Sequence, residues 1–293
     1  MIGSEIITGL TIGAGYSLLA VGVVLVYTST RVLSLALGEM GAFGFYLGVK
    51  FYLHGVPLVG WHLSAFEAGV TAVVVGALLG LLVERFIMRP LTARPGIDKL
   101  IVTLGVALVL ALVELNFISF DPYPAPPFLG SGHFVLLGAT LTTSRIAELV
   151  TAAGAAAVLY LILNRTKLGL ATRATTSDPT VARLLGVKVN NVYRFAWVSA
   201  GGLAGLAGAL VSNTNGVLLP FSLTTALLSS LAGAVVGGLD SLGGAIAGCL
   251  LLGVVQNLVQ PYGIAYESGI TLVIVLVVLL VRPQGVFGTS SAF

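Results

Sequence analysis

An all-α integral membrane protein, a polytopic bundle of about eight to nine helical crossings, is the fold this sequence predicts. Three observations carry the prediction. Charged residues make up only 9% of the chain and hydrophobic residues 57%, with a mean hydropathy of +1.06, whereas a soluble domain carries about 25% charged residues. Apolar runs of about 20 residues, the length a helix needs to cross a bilayer, recur along the chain. These runs are continuous, where a membrane β-barrel would show alternation.

Taken in order, the predicted spans are Ile6–Tyr27, Ser34–Leu53, Ala65–Phe86, Lys99–Ile118 and Ser144–Leu163, then Phe195–Asn213, Ser222–Gly238, Gly244–Gln260 and Ser268–Val281. The seventh and eighth are short and rich in glycine, as broken or re-entrant helices are. The first span is expected to be uncleaved, because Met1–Glu5 lacks the basic start of a signal peptide. The single cysteine, Cys249, excludes an intramolecular disulfide and reads as a small core residue. The net charge of +3 does not point to nucleic acid, since the basic residues sit in loops between spans.

Lysine and arginine collect in cytoplasmic loops. With the N-terminus outside, Arg31, Arg85, Arg89, Arg94, Lys99, Arg165, Lys167, Arg173, Arg183, Lys188, Arg194 and Arg282 lie inside, and Lys50 and Arg145 outside. The expected topology is therefore N-terminus out, C-terminus in, with an odd number of crossings. Small residues recur at four-residue spacing: Gly76–Gly80, Gly201–Gly205, Ala204–Gly208 and Gly244–Gly248. In lipid, such spacing lets helix backbones approach closely. Tight packing accounts for it, as does sliding of helices during a transport cycle.

One segment breaks the apolar pattern. The predicted cytoplasmic loop 164–194 contains "TTSDPTVARLLGVKVNN" (Thr175–Asn191). Ser177 or Asp178 is suited to cap a helix, Pro179 fits its first turn, and Gly186 ends it. The spacing predicts a two-turn helix over Pro179–Leu185, with Val181, Leu184 and Leu185 on one face. A helix this short is unstable alone and needs a partner over that face. Either the membrane surface, with Arg173, Arg183 and Lys188 near anionic headgroups, or a cytoplasmic subunit fills the role.

Acidic and amide groups inside a bilayer are costly, so each carries a question. Glu39 lies eight residues past Arg31, roughly 12 Å further in along a helix, and is flanked by Gly38 and Gly41, where the helix is expected to be interrupted. It borders the translocation path, caps freed backbone groups, or is a helix-end acid satisfied locally. Glu114 and Asn116 lie near the outer end of the fourth span and read as a solvated mouth. "SNTNG" (Ser212–Gly216), with Asn213 and Asn215, either contacts substrate or satisfies a helix end. Gln256 and Asn257, deep in the eighth span, suit either a passage for a small zwitterion or interhelical hydrogen bonds. The outer loop Ser119–Thr143, with "DPYPAPPFLGSG", reads as stiff and irregular, a place to receive an external protein or a plain linker.

No phosphate-cradling G-x-x-x-x-G-K-[S/T] occurs, so the chain itself is not expected to hydrolyse ATP. H-E-x-x-H is also absent, and His54, His62 and His133 are scattered over predicted outer loops, which argues against a metal site. No catalytic constellation is visible, so no enzyme activity and no bound cofactor are expected.

Four segments, in order, resemble the permeases of branched-chain amino acid ABC transporters. They are "RVLSLALGEMGAFGFYLG" (Arg31–Gly48), "GLATRATTSDPTVARLLGVKVNNVYRFAWVSAGGLAGLAGAL" (Gly169–Leu210), "GGLDSLGGAIAGCLLLGVVQNL" (Gly237–Leu258) and "VRPQGVFG" (Val281–Gly288). Ser34 and Leu37 depart from the family's more polar second-helix pattern. The resemblance implies a single permease domain over 1–293 whose insert is a coupling helix docked on a cytoplasmic ATPase. Arg173, Asp178, Ala182, Arg183, Leu184, Leu185 and Gly186 would carry the coupling. Gly38, Glu39, Gly41, Asn213, Asn215, Gln256 and Asn257 would border the pathway. Implied partners are a second related permease, two ATPase subunits that hold ATP and magnesium, and an external binding protein, in a bacterial or archaeal cytoplasmic membrane. A sister importer for urea, short amides or aromatic acids shares these motifs. From a different class, a membrane scaffold docking a non-ATPase partner would show the same insert, and an intramembrane enzyme is a weaker competitor.

Overall fold

The computed structural model describes residues 2–55, 62–92, 94–117, 123–124, 132–136, 139–215, 217–218 and 222–288. Among the described residues, nine long helices correspond to the predicted spans: α1 (Ile2–Thr30), α2 (Ala36–His54), α3 (Ala65–Leu82), α4 (Gly96–Phe117), α5 (Thr143–Arg165), α8 (Val189–Asn215), α9 (Ser222–Gly237), α10 (Leu242–Val259) and α11 (Ile264–Val281). Between α5 and α8 the polar insert forms two helices, α6 (Lys167–Ser177) and α7 (Pro179–Leu184). Among the described residues, six helices are long and apolar enough to span a bilayer. The α10 helix, extended by a 3₁₀ turn over Gln260–Tyr262, is one of them, whereas α9 and α11 offer only shorter apolar stretches. The eighth predicted span is thus long enough to cross.

Central helices are buried by others. The α1 helix packs against α8, α9 and α10, while α2 lies among α3, α4, α8 and α9. The largest enclosed side chains, Trp197, Tyr46, Phe45 and a ring of leucines, belong to this centre. At the periphery, α4 turns Leu104, Leu108 and Leu112 outward at one-turn spacing, a stripe suited to acyl chains.

Small residues set the packing distances. A methyl added at Gly44 of α2 would stand 2.7 Å from the Ala72 carbonyl oxygen of α3. One added at Gly13 of α1 would stand 2.7 Å from the Cys249 carbonyl oxygen of α10. Each predicted small-residue pair faces a backbone: Gly76 and Gly80 meet α8 at Gly201 and Trp197, Gly205 meets α3, Gly208 meets Gly41 of α2, and Gly244 and Gly248 meet α9. With no side chain between them, backbones gain dispersion contact where lipid supplies no hydrophobic drive.

The break expected at Gly38 and Gly41 lies elsewhere. The α2 helix runs unbroken through both, and the interruption is the non-helical stretch before it, residues 31–35. Arg31 ends α1 in the left-handed region at φ 53°, with its guanidinium 5.8 Å from the Tyr27 ring centre and 3.9 Å from the Asp240 carboxylate. The chain then turns back into the bundle, and Val32 and Ser34 are buried. The Leu35 N–H donates to Thr103 Oγ1 at 3.4 Å, two turns into α4. Non-helical backbone at such depth is tolerated where protein surrounds it. Gly38 and Gly41 serve close approach instead: methyls there would strike the Leu223 and Ala204 carbonyl groups.

Two further features depart from expectation. The last turns of the third span, Val83–Met88, are a π-helix. The outer loop is not wholly irregular: β2 (His133–Leu136) and β3 (Ala139–Thr142) pair antiparallel, and β1 (Tyr123–Pro124) pairs with β4 (Val217–Leu218). Most of "DPYPAPPFLGSG" lies outside the described residues. Past α11, the chain end returns to the bundle, where the Val286 and Phe287 N–H groups donate to the Val236 and Gly237 carbonyls and so satisfy the last turn of α9.

Candidate coupling surface and buried polar sites

The α7 helix is locally complete. Asp178 caps it, its Oδ1 accepting from the Thr180 N–H at 2.6 Å and the Val181 N–H at 3.1 Å. Those amides, Val181 first, hold the Asp178 carboxyl below its ordinary pKa. Ser177, the alternative cap, instead donates back to the Arg173 carbonyl. At the other end Gly186 adopts φ +84°; its N–H donates to the Arg183 carbonyl and the Val187 N–H to the Ala182 carbonyl, each at 3.0 Å. This is a Schellman closure, and a residue with a side chain would be strained there.

Its apolar face is nonetheless bare. Leu184 is 83% exposed, Leu185 77% and Val181 50%. Ala182 points the other way and is buried, seating α7 on α6 and the start of α8. Arg173 lies on α6, which the sequence reading did not foresee as a separate helix, and it is exposed, as are Arg183 and Lys188. Leu168 and Leu170 of α6 extend the exposed apolar surface. A cleft behind α7 is lined by Arg89, Arg183, Val187, Lys188, Val189, Asn190 and Asn191. The insert therefore presents two leucines within a basic rim.

Inside the bundle, the first turns of α2 and α9 meet. The Thr224 hydroxyl of α9 donates to Glu39 Oε1 of α2, and both Glu39 and Glu114 of α4 are buried. Glu39 Oε2 and Glu114 Oε1 have no hydrogen-bond partner among the described residues. Glu114, read as part of a solvated mouth, is thus enclosed. Gln256 donates to Ser229 Oγ of α9 at 3.3 Å and to Thr271 Oγ1 of α11 at 2.9 Å. Asn257 donates to the backbone carbonyl and to Oε2 of Glu5 in α1, both at 2.8 Å. These two amides join helices. Of Asn213 and Asn215 only the helical backbone is described; their side chains lie outside the described residues. The structure brings Glu39 and Gly38 to the α2–α9 contact, sets Gly41 against the Ala204 backbone of α8, and keeps Gln256 and Asn257 apart from them, on α10.

Long apolar helices, a buried non-helical entry to α2 and a capped insert with a bare apolar face define a polytopic membrane protein. The sequence profile of the family described as branched-chain amino acid transport system/permease component matches residues 5–281, and the chain belongs to that family. The high-affinity branched-chain amino acid transport system permease protein BraD of Pseudomonas aeruginosa is 30% identical, over 97% of this chain and 95% of its own. The corresponding LivH protein of Escherichia coli is 29% identical over 97% of this chain and 94% of its own. Among solved structures, PsaBC from Streptococcus pneumoniae in complex with Fab has the same fold at a TM-score of 0.50 and 16% identity, covering 96% of this chain and 92% of that one.

Proposed function

We propose that this chain is the membrane subunit of an ATP-binding-cassette importer that carries branched-chain amino acids across a cytoplasmic membrane. It is read as one permease domain whose residues 164–194 face the cytoplasm. The observation that carries the reading is α7, whose leucine face is left bare on a helix that is otherwise fully capped, in a chain of this family. A cytoplasmic ATPase would cover Leu184 and Leu185, with Arg173, Arg183 and Lys188 at the polar rim. Asp178, Ala182 and Gly186 would set the helix in place. The name of the 30%-identical relative supports leucine, isoleucine and valine as substrates.

Partner subunits would be a second permease, two ATPases that bind ATP and magnesium, and an external binding protein. ATP can drive the cycle only by favouring one membrane conformation over another. The α2–α9 contact at Glu39, between two helices that begin within the bundle, would border the substrate path. Helix ends at mid-membrane are where transporters of other folds also hold polar substrates.

The test is ATP-dependent uptake of labelled leucine into liposomes holding the chain with its partner subunits. A Leu184→Asp/Leu185→Asp variant runs alongside. Uptake by the parent and none by the folded variant is expected. Failure of the unmodified chain to bind any ATPase would overturn the importer reading. Intact ATPase binding without leucine uptake would remove only the substrate.

A further inference from the structure

A second enclosed site lies at the basic end of the bundle, where α1, the π-helical turn, α4 and α8 end together. Its walls include Glu84, Arg89, Lys99, Asn190, Tyr193 and Trp197, and they enclose about 60 Å³ of water-accessible space. At about 10–15 Å³ for each water, that is room for a few waters or one compact oxyanion. We propose that this cavity binds a phosphate group, carried either by an acidic phospholipid headgroup or by a free phosphate.

Among the described residues the walls hold two buried donors without a hydrogen-bond partner, Trp197 Nε1 and Arg89 Nε, against one such acceptor, Glu84 Oε2, and the balance favours an acceptor as occupant. Trp197 is fully buried, and its indole N–H has no acceptor among the described residues. Indole can only donate, and a buried donor left alone is costly. Arg89 Nε is likewise without a hydrogen-bond partner among the described residues, although it lies 3.9 Å from Glu84 Oε1. Lys99 Nζ donates to the Thr92 carbonyl at 3.1 Å and keeps further protons for a ligand.

Charge gives the same answer. Glu84, buried on the π-helical turn, stands between Arg89 at 3.9 Å and Arg194 at 4.0 Å, and neither guanidinium nitrogen reaches hydrogen-bond range. Arg194 lies outside the lining, so within the walls the Glu84 carboxylate faces the Arg89 guanidinium and the Lys99 ammonium, which leaves one positive charge in excess. Arginine and lysine with a fixed N–H donor make a strong set for phosphate oxygens. Single π-helical turns of this kind are frequent at functional sites. Thr30 ends α1, Lys99 lies in the first turn of α4 and Asn190 begins α8, so the cavity sits at the level of the bundle's end, where headgroups and solutes both reach. Arg89 and Asn190 also line the cleft behind α7, so an occupant would brace the seat of the insert.

Trp197 gives a direct reporter. The chain has two tryptophans, and Trp61→Phe leaves only the one in the wall. The assembled transporter carrying that change, with a Trp61→Phe/Trp197→Phe version to subtract the partner subunits' emission, in a maltoside detergent free of phosphate, is titrated with inorganic phosphate and, separately, with short-chain phosphatidylglycerol, against chloride at equal ionic strength. A saturable change in Trp197 emission is expected, shifted about tenfold or more to higher concentration in Arg89→Gln and in Lys99→Gln. Lys99 is at the rim, so its variant tests the site without disturbing the core. A response to phosphatidylglycerol alone assigns the site to lipid, and a response to inorganic phosphate assigns it to a free solute as well. No change beyond chloride, or equal titrations in the parent and both variants, overturns the proposal.

Discussion

The α7 helix and the start of α2 solve opposite problems. Within its own few residues α7 is capped at both ends, by Asp178 at one and Gly186 at the other, yet its leucines face outward. The start of α2 is the reverse. Leu35 offers no side-chain cap, and the Ser34 hydroxyl has no hydrogen-bond partner among the described residues, yet Ser34 is fully buried and Leu35 half-buried. Distant helices supply what is missing: Thr103 of α4 takes the Leu35 N–H, and Thr224 of α9 meets Glu39. A segment built to be gripped from outside carries its own caps. A segment built into the bundle borrows them.

The contrast can be broken most strongly at α7. The Leu184→Asp/Leu185→Asp variant is expected to keep the stability of the membrane domain, because both side chains are exposed. Its affinity for the ATPase subunits should fall about 30-fold or more, the loss of an interface hot spot worth about 2 kcal/mol or more. Co-purification at graded ATPase concentration measures it. At α2 the order reverses. Gly41→Ala forces a methyl against the Ala204 carbonyl and is expected to cost about 1–3 kcal/mol of stability, read from thermal unfolding in detergent, with α7 still competent to dock.

A subtler change at the same contact is Thr224→Val. It keeps the shape and removes the hydroxyl that meets Glu39, for an expected loss of about 1–2 kcal/mol by the same assay. Smallest is Asp178→Ala, which should leave the bundle untouched and speed amide exchange over Pro179–Leu184 a few-fold. The pH dependence follows in sign. The folded carboxyl is held below its unfolded value, so its contribution is present in full above the ordinary aspartate range and disappears only as pH falls through the lowered value. Exchange across α7 is expected to be the same for parent protein at pH 8 and pH 5 once intrinsic rates are removed.

The same contrast explains which parts were legible in the sequence. Aspartate, proline and glycine at cap spacing are local chemistry, so α7 could be read almost to the residue. The apolar spans were legible for the same reason: length and hydropathy are properties of a window. "VLSL" at 32–35 is apolar and looks like more helix, and nothing local says that Thr103, far along the chain, will take the Leu35 amide. The π-helical turn at Val83–Met88 and the pairing of β1 with β4 depend likewise on neighbours from other helices and loops. In the sequence Gln256 and Asn257 fit either a passage or interhelical bonds, and only the positions of Ser229, Thr271 and Glu5 show what they hold.

Covering of the α7 leucines by a cytoplasmic subunit is the central claim, and Leu184→Cys tests it most directly. The native Cys249 is buried and does not compete for a maleimide. Labelling of Cys at position 184 is followed in inside-out membrane vesicles, with and without the ATPase subunits. Rapid labelling of the permease alone and strong protection once the ATPases are bound is the predicted result. Equal labelling in the two states, with the ATPases shown to be bound, would contradict it.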